Sequence, residues 1–195
     1  MSEWNKVVDV VIIGSGAGSM VAALKAKRLG LSSVIIEKRF AVGGSTGFSG
    51  GVVWIPCNSL MVRDGVSDDL TEARRYMDAA APYFGPAATS ERREAYLQTG
   101  PEVIDFLLGE GLKLERPKGF PDYYTTKPGA STETRSLTAK LFDINALGDW
   151  KKRLSVYPAP AMPLRIGDMA PLLLAKRTWS GRMMALRVAA RIARQ

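Results

Sequence analysis

The order strand, glycine turn, helix, strand, acid across residues 7–37 constrains this chain more than any other feature. An apolar run, Val7-Val8-Asp9-Val10-Val11-Ile12-Ile13, stops at Gly14-Ser15-Gly16-Ala17-Gly18-Ser19. The chain continues as an Ala-rich helical stretch from Met20 to Leu29, breaks at Gly30 and resumes as Val34-Ile35-Ile36-Glu37. A glycine hexapeptide alone carries little weight, but set between a strand and a helix it predicts a βαβ unit. The fold class expected is therefore α/β, Rossmann-like, with a parallel sheet and flanking helices.

Each residue of the turn has a physical role in this reading. Gly14 permits the tight exit from the strand, and Gly16 lets a pyrophosphate approach the amides at the helix N-terminus, where the dipole favours negative charge. Ser15, Ala17 and Gly18 contribute backbone to the same anion site. Ser19 stands where the usual pattern has a third glycine, and serine is small enough to keep helix and strand close. Glu37 lies where a carboxylate accepts hydrogen bonds from an adenosine ribose, a place that would repel a ribose 2′-phosphate.

A second glycine-rich loop, just beyond the acid, narrows the choice of dinucleotide. After Glu37-Lys38, the residues Gly43, Gly44, Gly47, Gly50 and Gly51 are interleaved with Ser45, Thr46 and Ser49. Such a loop can lay amides along a phosphate chain or a ring edge. The run Glu37-Lys38…Gly43-Gly44-Ser45-Thr46…Ser49-Gly50-Gly51…Trp54-Ile55-Pro56 resembles the FAD-binding dehydrogenases of the fumarate reductase flavoprotein superfamily. Within them it is most similar to the 3-ketosteroid Δ1-dehydrogenases, and Phe120-Pro121-Asp122-Tyr123-Tyr124 extends the likeness.

The resemblance implies FAD as cofactor, held by residues 14–19, by Glu37 and Lys38, and by Gly43, Gly44, Ser45, Thr46, Ser49, Gly50 and Gly51. It implies a flat, apolar, steroid-like substrate and an external electron acceptor. The implied reaction removes two hydrogens from C1 and C2 of a 3-ketone, with hydride passing to the flavin and a proton to a tyrosine. The family's Pro-Asp-Tyr segment selects Tyr123 for the proton, with Tyr124 beside it. Read without the resemblance, these rings pack their loop against the sheet. Two other readings stay open: a fumarate-reductase-like flavoenzyme acting on a small carboxylate, and a non-catalytic FAD- or ADP-binding fragment.

Members of the resembled family are much longer than these 195 residues, and their chains return late to complete the FAD fold. The expectation is therefore an N-terminal portion, incomplete at its C-terminus, inactive by itself, poorly soluble and a weak binder of FAD. Residues 1–60 read as the dinucleotide cradle, 61–115 as a helical insertion, and 116–195 as proline-rich loops with a basic helix. Ser67-Asp68-Asp69 marks the start of one helix, Thr89-Ser90 a second, and Pro101 the first turn of a third that stops at Gly109 and Gly111. Arg74, Arg75, Arg92, Arg93 and Glu94 read as solvated faces.

Absent residue types exclude chemistry as well. With no histidine, the stretch supplies no imidazole base, no metal–His site and no histidyl flavin link. The lone Cys57 reads as a small buried residue and forbids an internal disulfide. No apolar run approaches membrane-spanning length, and a cytoplasmic location is the default expectation. The net charge of +8 is concentrated late: residues 151–195 hold ten of the 27 Lys and Arg but only one acid, Asp168. Arg187, Arg191 and Arg194 fall on one helical face and Trp179, Met183 and Leu186 on another. Packing against a further domain is the preferred reading of that helix, with peripheral contact to an anionic membrane second. No nucleic-acid partner is expected, because no reader motif accompanies the charge.

Overall fold

The structure is a computed structural model that describes residues 5–83, 85–155 and 163–194. Two compact units divide the chain: one comprises the described residues of Met1–Gly51 and Asp143–Ala161, the other those of Val52–Phe142 and Met162–Gln195. The first break falls at Gly51, because the next strand pairs within the second unit.

The first unit is the expected βαβ. Strand β1 (Val10–Ile13) and strand β2 (Ser33–Ile36) pair in parallel from Val10↔Ser33 to Ile13↔Ile36. Helix α1 (Ala17–Arg28) forms the crossover, and Gly30, at φ 74°, turns the chain back toward β2. At the base of the strands, the Ser32 amide and hydroxyl both donate to Asp9 Oδ2, at 2.8 and 2.6 Å. Ile12 and Ala26 are buried, whereas Val11, Ile13 and Ile36 are exposed, Ile13 to 85%. A later segment returns to this unit: the Val42 amide donates to Arg153 O and the Ser155 amide to Val42 O, each at 2.7 Å.

The second unit contains a sheet of a different kind. Strands β3 (Val52–Trp54), β4 (Leu114–Glu115) and β5 (Ser136–Ala139) form an antiparallel sheet in the order β3-β5-β4. Ile55, Leu60, Ile104, Leu114 and Leu137 make its core. Beside them lie α2 (Ser59–Arg63), capped by Asn58, and α3 (Leu70–Ala80), capped by the Asp69 carboxylate on the Thr71 amide. Helix α4 (Ser90–Gly109) begins at a Thr89 cap and runs unbroken through Pro101.

That continuity corrects the expectation of two helices. Proline disfavours a helical predecessor through clash with that residue's Cβ, and here the predecessor is Gly100. The same missing Cβ lets the helix close on Ile55, whose atoms lie 3.0 Å from where a Gly100 Cβ would stand. Arg74 and Glu94, expected as solvated faces, instead tie α3 to α4 through a two-pronged ion pair at 2.8 Å.

Helices α5 (Ile166–Leu173) and α6 (Trp179–Ile192) close the described chain. They meet where Gly181 leaves no room for a side chain against Ala175. Arg191 is not a free member of a basic face, because its Nη1 donates to Asp168 Oδ2 and to Pro163 O. Arg187, Trp179 and Leu186 are exposed.

Candidate functional site

The glycine turn after β1 is built as an anion cradle. Gly14 takes φ 84°, and its amide donates to Ile36 O at 2.7 Å, fixing the turn to the end of β2. Gly16 occupies the N-cap of α1 and brings no capping side chain of its own, no acid lies in the first turn, and Thr46 Oγ1 takes the Ala17 amide. Uncapped amides at a helix N-terminus favour a bound anion. Nothing lies within 4 Å of the place a Gly18 Cβ would occupy. Ser19 turns inward, its hydroxyl donating to Ile13 O at 3.3 Å, so it serves helix–strand packing as the small third residue of the motif.

Ser15 holds the parts together. It is buried, and its amide and hydroxyl both donate to Glu37 Oε2, at 3.0 and 2.6 Å. The same hydroxyl oxygen accepts from the Gly43 amide at 2.9 Å, so one side chain links the first turn, the acid and the second glycine loop. Glu37 Oε1 accepts from the Arg39 amide at 2.9 Å. The Ser15 hydroxyl, then the Arg39 amide, hold the Glu37 carboxyl below its usual range. The group is thus a carboxylate at neutral pH. A carboxylate oxygen accepts two hydrogen bonds, so Oε2 is filled and Oε1 keeps one lone pair for a ribose hydroxyl.

The second loop passes backbone to backbone over the first. A Cβ on Gly44 would stand 3.4 Å from the Gly16 backbone, and the Ala17 amide donates to Thr46 Oγ1 at 3.1 Å. Ser49 spends its hydroxyl within the loop, donating to Thr46 O and accepting from the Gly51 amide. Lys38, Ser45, Gly50 and Gly51 are exposed. The structure therefore brings residues 14–19, Glu37, Gly43, Gly44 and Thr46 into one cradle, and an adenine dinucleotide's diphosphate and ribose fit its donors and its carboxylate.

Two further residues belong to this cradle. A Cβ on Gly47 would lie 2.0 Å from Ser155 O, so the loop can dock on the returning segment only with glycine there. Ser155 is itself buried, its hydroxyl without a hydrogen-bond partner. Gly47 was visible within the glycine run; nothing local marks Ser155, which arrives by the Val42 pairing.

In the second unit, Tyr123 and Tyr124 directly follow the Asp122–Ser131 closure of a tied loop. Their rings meet edge to face, with centroids 5.0 Å apart, and Tyr123 is 87% exposed. The alternative reading, in which both rings only pack their loop against the sheet, fails for Tyr123: its neighbour Asp122 takes the buried position instead. Asp122 Oδ1 accepts from Trp54 Nε1 at 2.7 Å, and Oδ2 from the Ser131 amide and Arg135 Nη1, each at 2.9 Å. The Tyr124 amide donates to the Tyr76 hydroxyl at 3.0 Å.

Arg135 also grips Asp68 through Nε and Nη2 at 3.0 and 2.8 Å, and donates to Gly129 O. Burial pushes the Asp68 carboxyl up, but Arg135 and the Cys57 amide outweigh it, leaving it below the usual range. Cys57 is half-buried at φ 53°. Burial and then the Asp68 charge push its thiol up to about 11, so it is a protonated, unreactive thiol at neutral pH.

Comparison with known proteins places these features in context. The family described as "FAD binding domain" matches residues 9–190. The chain is 48% identical over 141 residues to a 3-oxosteroid 1-dehydrogenase of Mycolicibacterium smegmatis, covering 72% of this chain and 24% of that protein. It is 36% identical over 157 residues to a 4-oxocyclohex-2-ene-1-carboxylate 5-dehydrogenase of Sinomonas cyclohexanicum, covering 79% of this chain and 25% of the relative. The chain thus spans about a quarter of the length of these curated relatives. The crystal structure of 3-ketosteroid delta1-dehydrogenase from Sterolibacterium denitrificans, in complex with 1,4-androstadiene-3,17-dione, superposes with a TM-score of 0.79 at 32% identity. That match covers 94% of this chain and 33% of the other.

Proposed function

Because the chain belongs to the FAD binding domain family, we propose that it is part of a flavin-dependent dehydrogenase that desaturates the C1–C2 bond of a 3-ketosteroid. The observation that carries this reading is an exposed Tyr123 phenol on a loop whose backbone is anchored from beneath by the buried Asp122. The 48% identity to a 3-oxosteroid 1-dehydrogenase supports it.

In this reading the residues divide the work. The turn of residues 14–19 would receive the diphosphate, with the amides of Gly16, Gly18 and Ser19 as its donors because those of Gly14, Ser15 and Ala17 are spent on Ile36, Glu37 and Thr46. Glu37 Oε1 would accept from the ribose, and Lys38 and the loop from Gly43 to Gly51 would hold the rest of the cofactor. Bound FAD supplies the hydride acceptor. Tyr123 Oη takes the C2 proton, which the 3-keto group acidifies, while the Tyr124 ring lends apolar area for a flat substrate. An external electron acceptor and a cytoplasmic location complete the proposal. Among the described residues no helix is long and apolar enough to cross a membrane. Peripheral contact through α6 would rely on Arg187 and Arg194, since Arg191 is committed to Asp168.

The test is dye reduction by the FAD-loaded full-length protein with 4-androstene-3,17-dione, run beside 4-oxocyclohexanecarboxylate. Steroid-dependent turnover that falls by about 10²-fold or more in Tyr123→Phe, with flavin content unchanged, is the expected result. A protein that takes up no FAD, or a Tyr123→Phe variant at full rate, overturns the reading. Turnover of the cyclohexane acid alone moves the substrate class to small ring ketones.

A further inference from the structure

The Tyr123 ring is exposed, yet the backbone that carries it is among the most firmly tied in the second unit. Asp122 and Ser131 close the loop's base twice, through the Asp122 amide on Ser131 O at 3.0 Å and the Ser131 amide on Asp122 Oδ2 at 2.9 Å. Beneath that closure the side chains of Asp122, Arg135 and Asp68 are 0%, 2% and 5% exposed. The loop's far side is seated as tightly, because a Cβ on Gly129 would fall 2.3 Å from Glu72 O and 2.7 Å from the Tyr76 amide nitrogen.

Two buried carboxylates around one guanidinium are a costly way to hold a connecting loop, since apolar packing of equal volume does so without the desolvation of ions. What the ionic arrangement adds is direction. Arg135 is a planar fork, and with Nε and Nη2 on Asp68 its Nη1 can meet Asp122 in one orientation only. Trp54 Nε1 fixes the other Asp122 oxygen. Asp122 is pinned inward, and the next side chain, Tyr123, stands exposed at the bend that follows.

We propose that Asp122, Arg135, Asp68 and Trp54 are positioning residues for the Tyr123 phenol, a clamp that fixes the direction of the proton acceptor before substrate arrives. The inference rests on the reading of Tyr123 as the group that takes the C2 proton. A reacting group displaced by about 1 Å loses on the order of 10²-fold in rate, so the clamp is expected to act on kcat and leave KM nearly unchanged.

The test compares Asp122→Asn and Trp54→Phe in the FAD-loaded full-length protein, with Tyr123→Phe as reference. Asp122→Asn keeps shape and loses the ion pair; Trp54→Phe removes one hydrogen bond and leaves all three charges in place, so a folded variant is available even if the ionic ones fail to fold. The expected result is a kcat lowered by about 10- to 100-fold in Asp122→Asn and less in Trp54→Phe. KM and flavin content should stay within about two-fold, and the isotope effect with C2-deuterated steroid should be larger as proton removal becomes limiting. Amide exchange over residues 122–131 should be slow in the parent and faster in both variants. Unchanged kcat and isotope effect in folded, flavin-bearing Asp122→Asn or Trp54→Phe overturn the clamp. If Tyr123→Phe loses activity while these do not, the clamp alone fails; if Tyr123→Phe keeps its rate, the assignment of Tyr123 fails.

Discussion

The nucleotide cradle and the tyrosine loop are held by opposite means. In the cradle nearly every tie runs through main chain or a single hydroxyl: Ser15 on Glu37 and Gly43, Thr46 on Ala17, Val42 on the returning segment. Its strands bury little, with Ile13 and Ile36 exposed. The tyrosine loop rests on a buried ionic network and on the Trp54 and Tyr76 side chains. Backbone is suited to a diphosphate, because amides approach it closely and the helix dipole supplies the charge. A single phenol must be aimed, and aiming takes side chains locked in place.

The sharpest way to break this comparison is Arg135→Ala. It strands two buried carboxylates, and loss of one partner from a buried ion pair costs about 3–5 kcal/mol. Urea unfolding of the second unit should register that loss; a change below about 1 kcal/mol would show that water or rearrangement relieves the carboxylates, and the contrast between the two regions would disappear.

A smaller effect belongs to the cradle. Gly47→Ala places a methyl 2.0 Å from Ser155 O, and overpacking of that kind costs about 1–3 kcal/mol. FAD titration should show affinity weakened by roughly ten-fold, with faster amide exchange confined to residues 42–51 and 153–155. Exchange that also quickened over residues 122–131 would show the two regions to be coupled.

The smallest effect concerns Glu37. Its folded-state pKa lies below the ordinary glutamate value of 4.5, so its contribution is fully present above that value and is lost as pH falls through the lower, folded one. The melting temperature of the parent protein should therefore decline more steeply below pH 4.5 than that of Glu37→Gln. Parallel declines would mean that the Ser15 and Arg39 bonds do not favour the ionised form.

Legibility in the sequence tracked the range of the interactions. The βαβ unit was readable because its signals are consecutive: β-branched run, glycines, Ala-rich stretch, acid. The antiparallel sheet was not, because β4 and β5 are short and separated by a long loop. Pro101 misled because its ordinary meaning as a first helical residue was cancelled by Gly100, which removes the clash and closes on Ile55. Asp122 was legible only as part of a motif around Tyr123. Of its partners, Asp68 read as part of a helix start and Trp54 as part of the glycine-loop motif, and Arg135 looks in sequence like any surface charge.

The sequence by itself determined the dinucleotide cradle, because glycine conformations, strand and helix periodicity and a carboxylate at a set distance are local properties that a linear pattern can carry. Only the tertiary structure decided which charges are buried and shared. A guanidinium acts as solvated surface or as the keystone of a loop according to which carboxylates and rings the fold brings against it, and those lie far from it in the chain.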